Sequence, residues 1–257
     1  MLFDTHVHTT FSTDSKMNIA TALKRAADLG QGITITEHMD LAYPEPEAFT
    51  FDVKAYFEEY EQYRNDKLLL GIEVGMRPDC LEDNRRIVEG HSFDYVIGSI
   101  HVVENADIYH SSFYESRSKQ EVYNFYFDAM LNCLKNHDFI DSLGHIDYIA
   151  RYAQYQDPDI HYNEFSDRLD EIVRAAAERE KALEINTRRL TSPEAAKQLL
   201  PIYKRFAEVG GKIVTIGSDA HKPDDIGRGL AMAQEMAEAC NLKVVYFKQR
   251  KPEWGRA

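Results

Sequence analysis

The stretch Leu2-Phe3-Asp4-Thr5-His6-Val7-His8 decides how the rest of the chain is read. Strand side chains alternate faces, so two histidines at i and i+2 on an extended segment point the same way and can reach one cation. Leu2 to Val7 reads as the strand. Thr9, Thr10, Phe11, Ser12, Thr13 and Asp14 follow as a polar loop that brings a carboxylate back to the same place. One His-x-His pair is an ordinary feature of strands. Its weight comes from five later strand ends that carry the same residue types.

Moving outward from that pair, Asn18 to Leu29 reads as a helix with Gly30 as its C-terminal cap. Strand two, Gly32 to Thr36, ends in Glu37 and His38, and strand three, Leu68 to Ile72, delivers Glu73. A helix from about Val53 to Tyr63 lies between them. After a polar helix, Leu81 to Val88, strand four (Tyr95 to Ile100) ends in His101. Val102 to Ser118 has no periodicity and reads as a loop over the site, the best candidate for a lid. A helix from Lys119 to Leu134 precedes strand five, Phe139 to Leu143, which runs into Gly144, His145, Ile146 and Asp147. Asn163 to Glu178 is helical, and strand six (Ala182 to Ile185) is followed by Asn186, Thr187, Arg188 and Arg189. Ser192 and Pro193 open the next helix, which Gly210 and Gly211 stop. Strand seven, Lys212 to Ile216, leads into Gly217, Ser218, Asp219, Ala220 and His221. A helix from Ile226 to Ala239 and a short apolar strand at Val244 to Phe247 complete the chain.

Seven strand-then-helix units in succession predict an α/β fold closed as a parallel barrel with outer helices; an open doubly wound sheet is the alternative. With 257 residues and no linker or repeat, a single domain over 1–257 is expected. The formal net charge of -13 speaks against a nucleic-acid partner, because such binding rests on Lys and Arg clusters. No signal peptide and no apolar run long enough to span a bilayer is found, so no membrane partner is expected. Cys80, Cys133 and Cys240 lack CxxC spacing, which fits a reducing cytoplasm.

Barrel active sites gather at the C-terminal ends of the strands. Those positions hold His6, His8, His38, Glu73, His101, His145, Asp219 and His221, with Asp14 from the first loop. His91, His110, His137 and His161 lie in loops or at helix ends and receive no role. Nine such groups exceed one tetrahedral zinc and suit two or three divalent ions that share a bridging carboxylate. Without cations, so much convergent imidazole and carboxylate would cost roughly several kcal/mol to bury. Zinc, iron and manganese all accept these ligands.

His6-Val7-His8 with Asp14, Glu37-His38, Glu73, Gly98-Ser99-Ile100-His101, Gly144-His145 and Gly217-Ser218-Asp219-Ala220-His221 resemble the motifs of the polymerase and histidinol phosphatase (PHP) superfamily. Over the whole chain, the length and the stretch from Gly144 to Arg151 most resemble its histidinol-phosphate phosphatases. The resemblance implies a distorted (β/α)7 barrel with a trinuclear metal site, acting on L-histidinol phosphate in histidine biosynthesis. It implies one ion held by His6, His8, Glu73 and Asp219, a second by Glu73, His101 and His145, and a third by Asp14, His38 and His221, with Glu73 bridging the first two. A hydroxide held between ions would attack phosphorus, and Asp219 or His221 would protonate the leaving alkoxide.

For the substrate, Arg151, Arg188 and Arg189 stand at the expected mouth, where a guanidinium grips phosphate. The phosphatases usually show Asn-Thr-Ser-Gly after strand six, and here Arg188 and Arg189 replace Ser and Gly. Aromatic residues from Tyr109 to Tyr126 could wall an imidazole, although Tyr123 and Phe127 have the spacing of core residues. Two other readings stay open: a PHP phosphoesterase for a sugar, nucleotide or phosphotyrosine ester, and a silent metal-binding regulatory domain. The full ligand set speaks against the second. Oligomeric state is not readable from the sequence.

Overall fold

Eight parallel strands stand in sequence order in one sheet of the computed structural model, which describes residues 2–254. They are β1 (Phe3–Val7), β2 (Gly32–Met39), β3 (Leu68–Gly75), β4 (Tyr95–Ser99), β5 (Ser142–Leu143), β6 (Ala182–Asn186), β7 (Ile213–Gly217) and β8 (Lys243–Val244). A helix follows each of the first seven: α1 (Ile19–Leu29), α2 (Val53–Tyr60), α3 (Leu81–Glu89), α4 (Lys119–Asn136), α5 (Ser166–Glu178), α6 (Pro193–Glu208) and α7 (Leu230–Ala239). The expected run of seven β/α units is what the chain forms. Strand residues are buried on both faces, as a helix-covered parallel sheet requires.

The sheet curls until β1 meets β7, and the seam is thin. Val7 and Ala220 form a lone parallel bridge, with His8 N–H donating to the Ala220 carbonyl at 2.9 Å and Ala220 N–H to the His6 carbonyl at 3.3 Å. Thr5 Oγ1 adds a bond to the Ile216 carbonyl at 3.0 Å. Lower on the same edge of β7, Lys243 and Val244 of β8 pair with Ile213 and Val214. Two strands thus share one edge of β7, and this distorts the barrel.

Several boundaries differ from the sequence expectation. Strands two and three run three residues further, to Met39 and Gly75, so Glu37, His38 and Glu73 lie inside paired strand, with His38 in register with Glu73. A sequence pattern ends a strand at its first charged residue because isolated buried charge is costly; here opposite groups meet across the ladder. Strand five shrinks from Phe139–Leu143 to Ser142–Leu143. Asp141 just before it exchanges bonds with Val96 through its main chain and carboxylate. Val102 to Ser118 is not a free lid. It folds as a hairpin, Val102–Val103 against Ala106–Asp107, and a short 3-10 turn at Ser111–Phe113. Val102, Val103, Ile108, Phe113 and Tyr114 are buried, so the stretch is a packed wall.

The barrel floor is closed by a hairpin, Tyr246–Lys248 against Lys251–Glu253. Tyr246 stacks on Phe3 at 4.0 Å and Phe247 on Tyr95 at 5.4 Å. Among the described residues no helix is long and apolar enough to cross a membrane. Outside the barrel, α4 carries fully buried Tyr123, Tyr126 and Phe127, and Phe127 meets Phe165 edge-on at 5.5 Å. Phe127→Ala is expected to cost about 3–5 kcal/mol, from lost burial and the cavity left behind. A urea titration checks this: the midpoint should fall with an unchanged slope.

Candidate metal centre

The side chains that alternate inward at the top of β1, β2, β3 and their neighbours converge on one carboxylate, Glu73. Its Oε2 lies 3.2 Å from His6 Nε2, 3.5 Å from His8 Nε2 and 2.9 Å from His38 Nδ1. Its Oε1 lies 2.8 Å from His145 Nε2 and 3.4 Å from His101 Nε2, and accepts a bond from Ser99 Oγ at 2.7 Å. Five imidazoles thus face one fully buried carboxylate. Asp219, held at a φ of 55° just after β7, directs Oδ1 at His8 Nε2 (3.4 Å) and His6 Nε2 (3.8 Å). On the solvent side, Asp14 approaches His221 Nε2 at 3.0 Å and His38 Nε2 at 3.8 Å. The His8 ring lies between those of His38 and His221, at 4.2 and 4.3 Å.

All nine residues expected from sequence to ligate metal meet in this one cluster. His91, His110, His137 and His161 belong to none of its groupings. Within the cluster His6 Nε2, His8 Nε2, His38 Nδ1, His221 Nε2 and Glu73 Oε2 are buried without a hydrogen-bond partner. Leaving that many polar atoms unsatisfied is unfavourable by several kcal/mol unless something binds them. Imidazole nitrogens and carboxylate oxygens aimed inward from every side are the donor set of a divalent-metal centre.

Charge is distributed accordingly. Burial alone would raise the Glu73 carboxyl, but His6, His38 and His101 together hold it well below the usual range. Burial is likewise outweighed at Asp219, which Arg151 and His6 keep ionised. His8 is pushed well below the ordinary imidazole value by burial and by His38 and His221. Burial would lower His6 and His101 too, yet both are raised, His6 by Glu184 and Glu73 and His101 by Asp40 and Glu73.

Behind the cluster stands a layer that the sequence reading did not assign. His6 Nδ1–H donates to Glu184 at 2.6 Å, and His101 Nδ1–H donates to Asp40 at 2.7 Å. His8 Nδ1 meets Ser12 Oγ at 3.0 Å, and that hydroxyl donates to Glu37 at 2.5 Å. Each contact fixes a tautomer, so that Nε2 is the free nitrogen. Gly75 leaves the room Asp40 needs, since a Cβ there would lie 2.1 Å from its carboxylate. One signal was available: Glu184 is a lone carboxylate in the apolar run Ala182-Leu183-Glu184-Ile185.

The three expected arginines separate. Arg188 lines a cavity of about 420 Å³ beside the cluster, together with Tyr43, Asp107, Tyr109, Tyr148 and Tyr152. Its Nη1 donates to the Asp219 carbonyl at 2.9 Å. Arg151 is buried against Asp219 (2.5 Å) and Asn186 (2.7 Å). Arg189 pairs with Asp159 and, at 3.5 Å, with Asp147. Arg151 and Arg189 line a neighbouring cavity that Arg188 and Tyr152 share. Tyr123 and Phe127 are core and do not reach the site.

The PHP domain profile matches residues 4–188. The chain is 52% identical over 250 residues to the probable histidinol-phosphatase of Clostridium acetobutylicum, covering 97% of this chain and 98% of that one. It is 33% identical over 225 residues to the histidinol-phosphatase of Lactococcus lactis, covering 85% and 83%. The crystal structure of histidinol phosphate phosphatase from Lactococcus lactis, complexed with zinc, L-histidinol and phosphate, matches with a TM-score of 0.93 at 30% identity, over 98% and 99% of the two chains. With the barrel, the ligand cluster and these relatives in agreement, the chain belongs to the PHP domain family, on its histidinol-phosphatase branch.

Proposed function

We propose that the chain, acting as one domain, is a metal-dependent phosphoric monoester hydrolase that converts L-histidinol phosphate to L-histidinol and phosphate. The observation that carries this is the placement of Glu73 and its five imidazoles directly beside the Arg188-lined cavity. The histidinol phosphate phosphatase of Lactococcus lactis holds zinc, L-histidinol and phosphate on the same fold.

Three ligand sets divide the cluster: His6, His8, Glu73 and Asp219; Glu73, His101 and His145; and Asp14, His38 and His221. Two to three divalent ions, zinc, iron or manganese, suit them. Bound there, such ions lower the pKa of water and neutralise phosphoryl oxygens. The chain's own groups do the rest. Arg188, which has no ion-pair partner among the described residues, faces the phosphate from the mouth, with Arg151 beside Asp219 behind it and Arg189 more distant. Tyrosines of the cavity wall the imidazole. Asp219 or His221, acting through a bound water, would pass a proton to the leaving alkoxide. A small-molecule ester rather than nucleic acid fits the acidic chain, and three free buried cysteines fit a cytoplasmic setting.

The test is phosphate release from L-histidinol phosphate beside a panel of sugar, nucleotide and aryl phosphates, with metal-loaded protein. A preference near a hundredfold in kcat/KM, about 3 kcal/mol in transition-state binding, is expected. Equal rates across the panel would remove histidinol phosphate as the substrate. Arg188→Ala is expected to raise KM for phosphate esters roughly tenfold at unchanged metal content. Metal analysis beside steady-state kinetics checks it; unchanged kinetics would take Arg188 out of the site.

A further inference from the structure

On β6, Glu184 and Asn186 point to the same interior side, and Glu184 touches two ligand-bearing segments at once. One carboxylate oxygen accepts from His6 Nδ1–H at 2.6 Å. The other accepts from the His145 main-chain N–H at 2.7 Å and from Asn186 Nδ2 at 3.2 Å. Glu184 is 1% exposed and each of its oxygens is engaged. The backbone is cut to fit this pair. A Cβ on Gly217 would lie 2.3 Å from His6 Cβ and 2.5 Å from Glu184 Oε1, so only glycine at that point of β7 admits the His6–Glu184 contact.

We propose that Glu184 is a positioning residue which aims His6 and the His145 loop into the cluster, and so sets how tightly divalent cations are held. It rests on the metal reading above and adds to it a residue that touches neither substrate nor the cluster's open face. His6 comes from β1 and His145 from the turn after β5, on opposite flanks of β6 and β7. One rigid carboxylate between them fixes their separation. Outer groups of this kind typically contribute a factor of 10 to 100 in metal affinity.

The experiment measures manganese and zinc affinity by competition with a chromogenic chelator for the full chain and three variants. E184A should bind about 100-fold more weakly. E184Q keeps an acceptor for His6 but turns an amide hydrogen toward the His145 N–H, so it should lose roughly tenfold. T215V is the control: Thr215 is in register with Glu184 on β7, buried, and bonded to Tyr95 and Ser142, and its affinity should stay within twofold. KM of the E184 variants at saturating manganese should stay within threefold of the parent. Affinity within twofold of the parent in E184Q, or in a folded E184A, overturns the proposal, as does an equal loss in T215V. A parent protein that binds no divalent ion would instead overturn the metal reading itself.

Discussion

Glu73→Gln is expected to cost at least about 10³-fold in kcat/KM, near 4 kcal/mol of transition-state stabilisation. The substitution preserves shape but removes one negative charge from the point on which His6, His8, His38, His101 and His145 all converge. An amide oxygen binds a divalent cation far more weakly than a carboxylate, and the amide nitrogen offers a cation no lone pair at all. Because the same carboxylate serves two of the ligand sets, both should empty together. Metal content after dialysis and kcat/KM on one preparation test this. A metal-free variant that keeps more than a tenth of the activity would sink the cluster as the catalytic centre.

Chelation is expected to remove activity completely and to lower the melting temperature by about 10 °C. The size follows from mass action: ligand at a thousand times its dissociation constant contributes about 4 kcal/mol, at roughly 2–4 °C per kcal/mol for a chain of this length. The pH dependence has a definite sign. In the metal-free chain His6, His38 and His101 have raised pKa values; at each, burial would lower it, but carboxylates prevail, Glu184 and Glu73 at His6, Glu73 and Asp14 at His38, Asp40 and Glu73 at His101. A raised histidine stabilises the fold fully below its unfolded value of about 6.5 and loses that contribution as pH rises through the folded value. Metal-free protein should therefore lose stability from pH 6.5 upward, whereas cation binding, which needs deprotonated imidazole, strengthens. Calorimetry with and without metal between pH 6.5 and 9 should show the gap widening; a constant gap would contradict the assignment of these histidines as ligands.

The convergent cluster was legible because its residues break an apolar pattern at fixed places. His38, Glu73, His101 and His145 each interrupt or follow a run that would otherwise be continuous core, and a parallel barrel sends all such interruptions to one end. The supporting layer was harder to read. Asp40 and Glu37 sit near His38 with nothing local to show which of the three faces Glu73, and Glu184 acts on His6, 178 positions away in sequence. The arginines lie at the expected end, but their partners were not readable, because a guanidinium's partner depends on which loop carboxylate it meets: Arg189 finds Asp159 and Asp147. Strand ends erred where charge is matched across the ladder, as at His38 and Glu73.

The thin seam between β1 and β7 also orders events in time. Thr5 and Ile216 lie 211 residues apart in sequence yet close the same joint, and His6 and His8 sit on one side of it with Asp219 on the other. Contacts of such separation bear the largest loop-closure entropy in the chain and are made late. A nascent chain emerging from the ribosome therefore carries its first two histidines exposed and idle until nearly the whole polypeptide has been made. The cofactor pocket is completed only as the hoop closes, so a truncated chain would lack the means to hold its cations and the catalyst would be armed last.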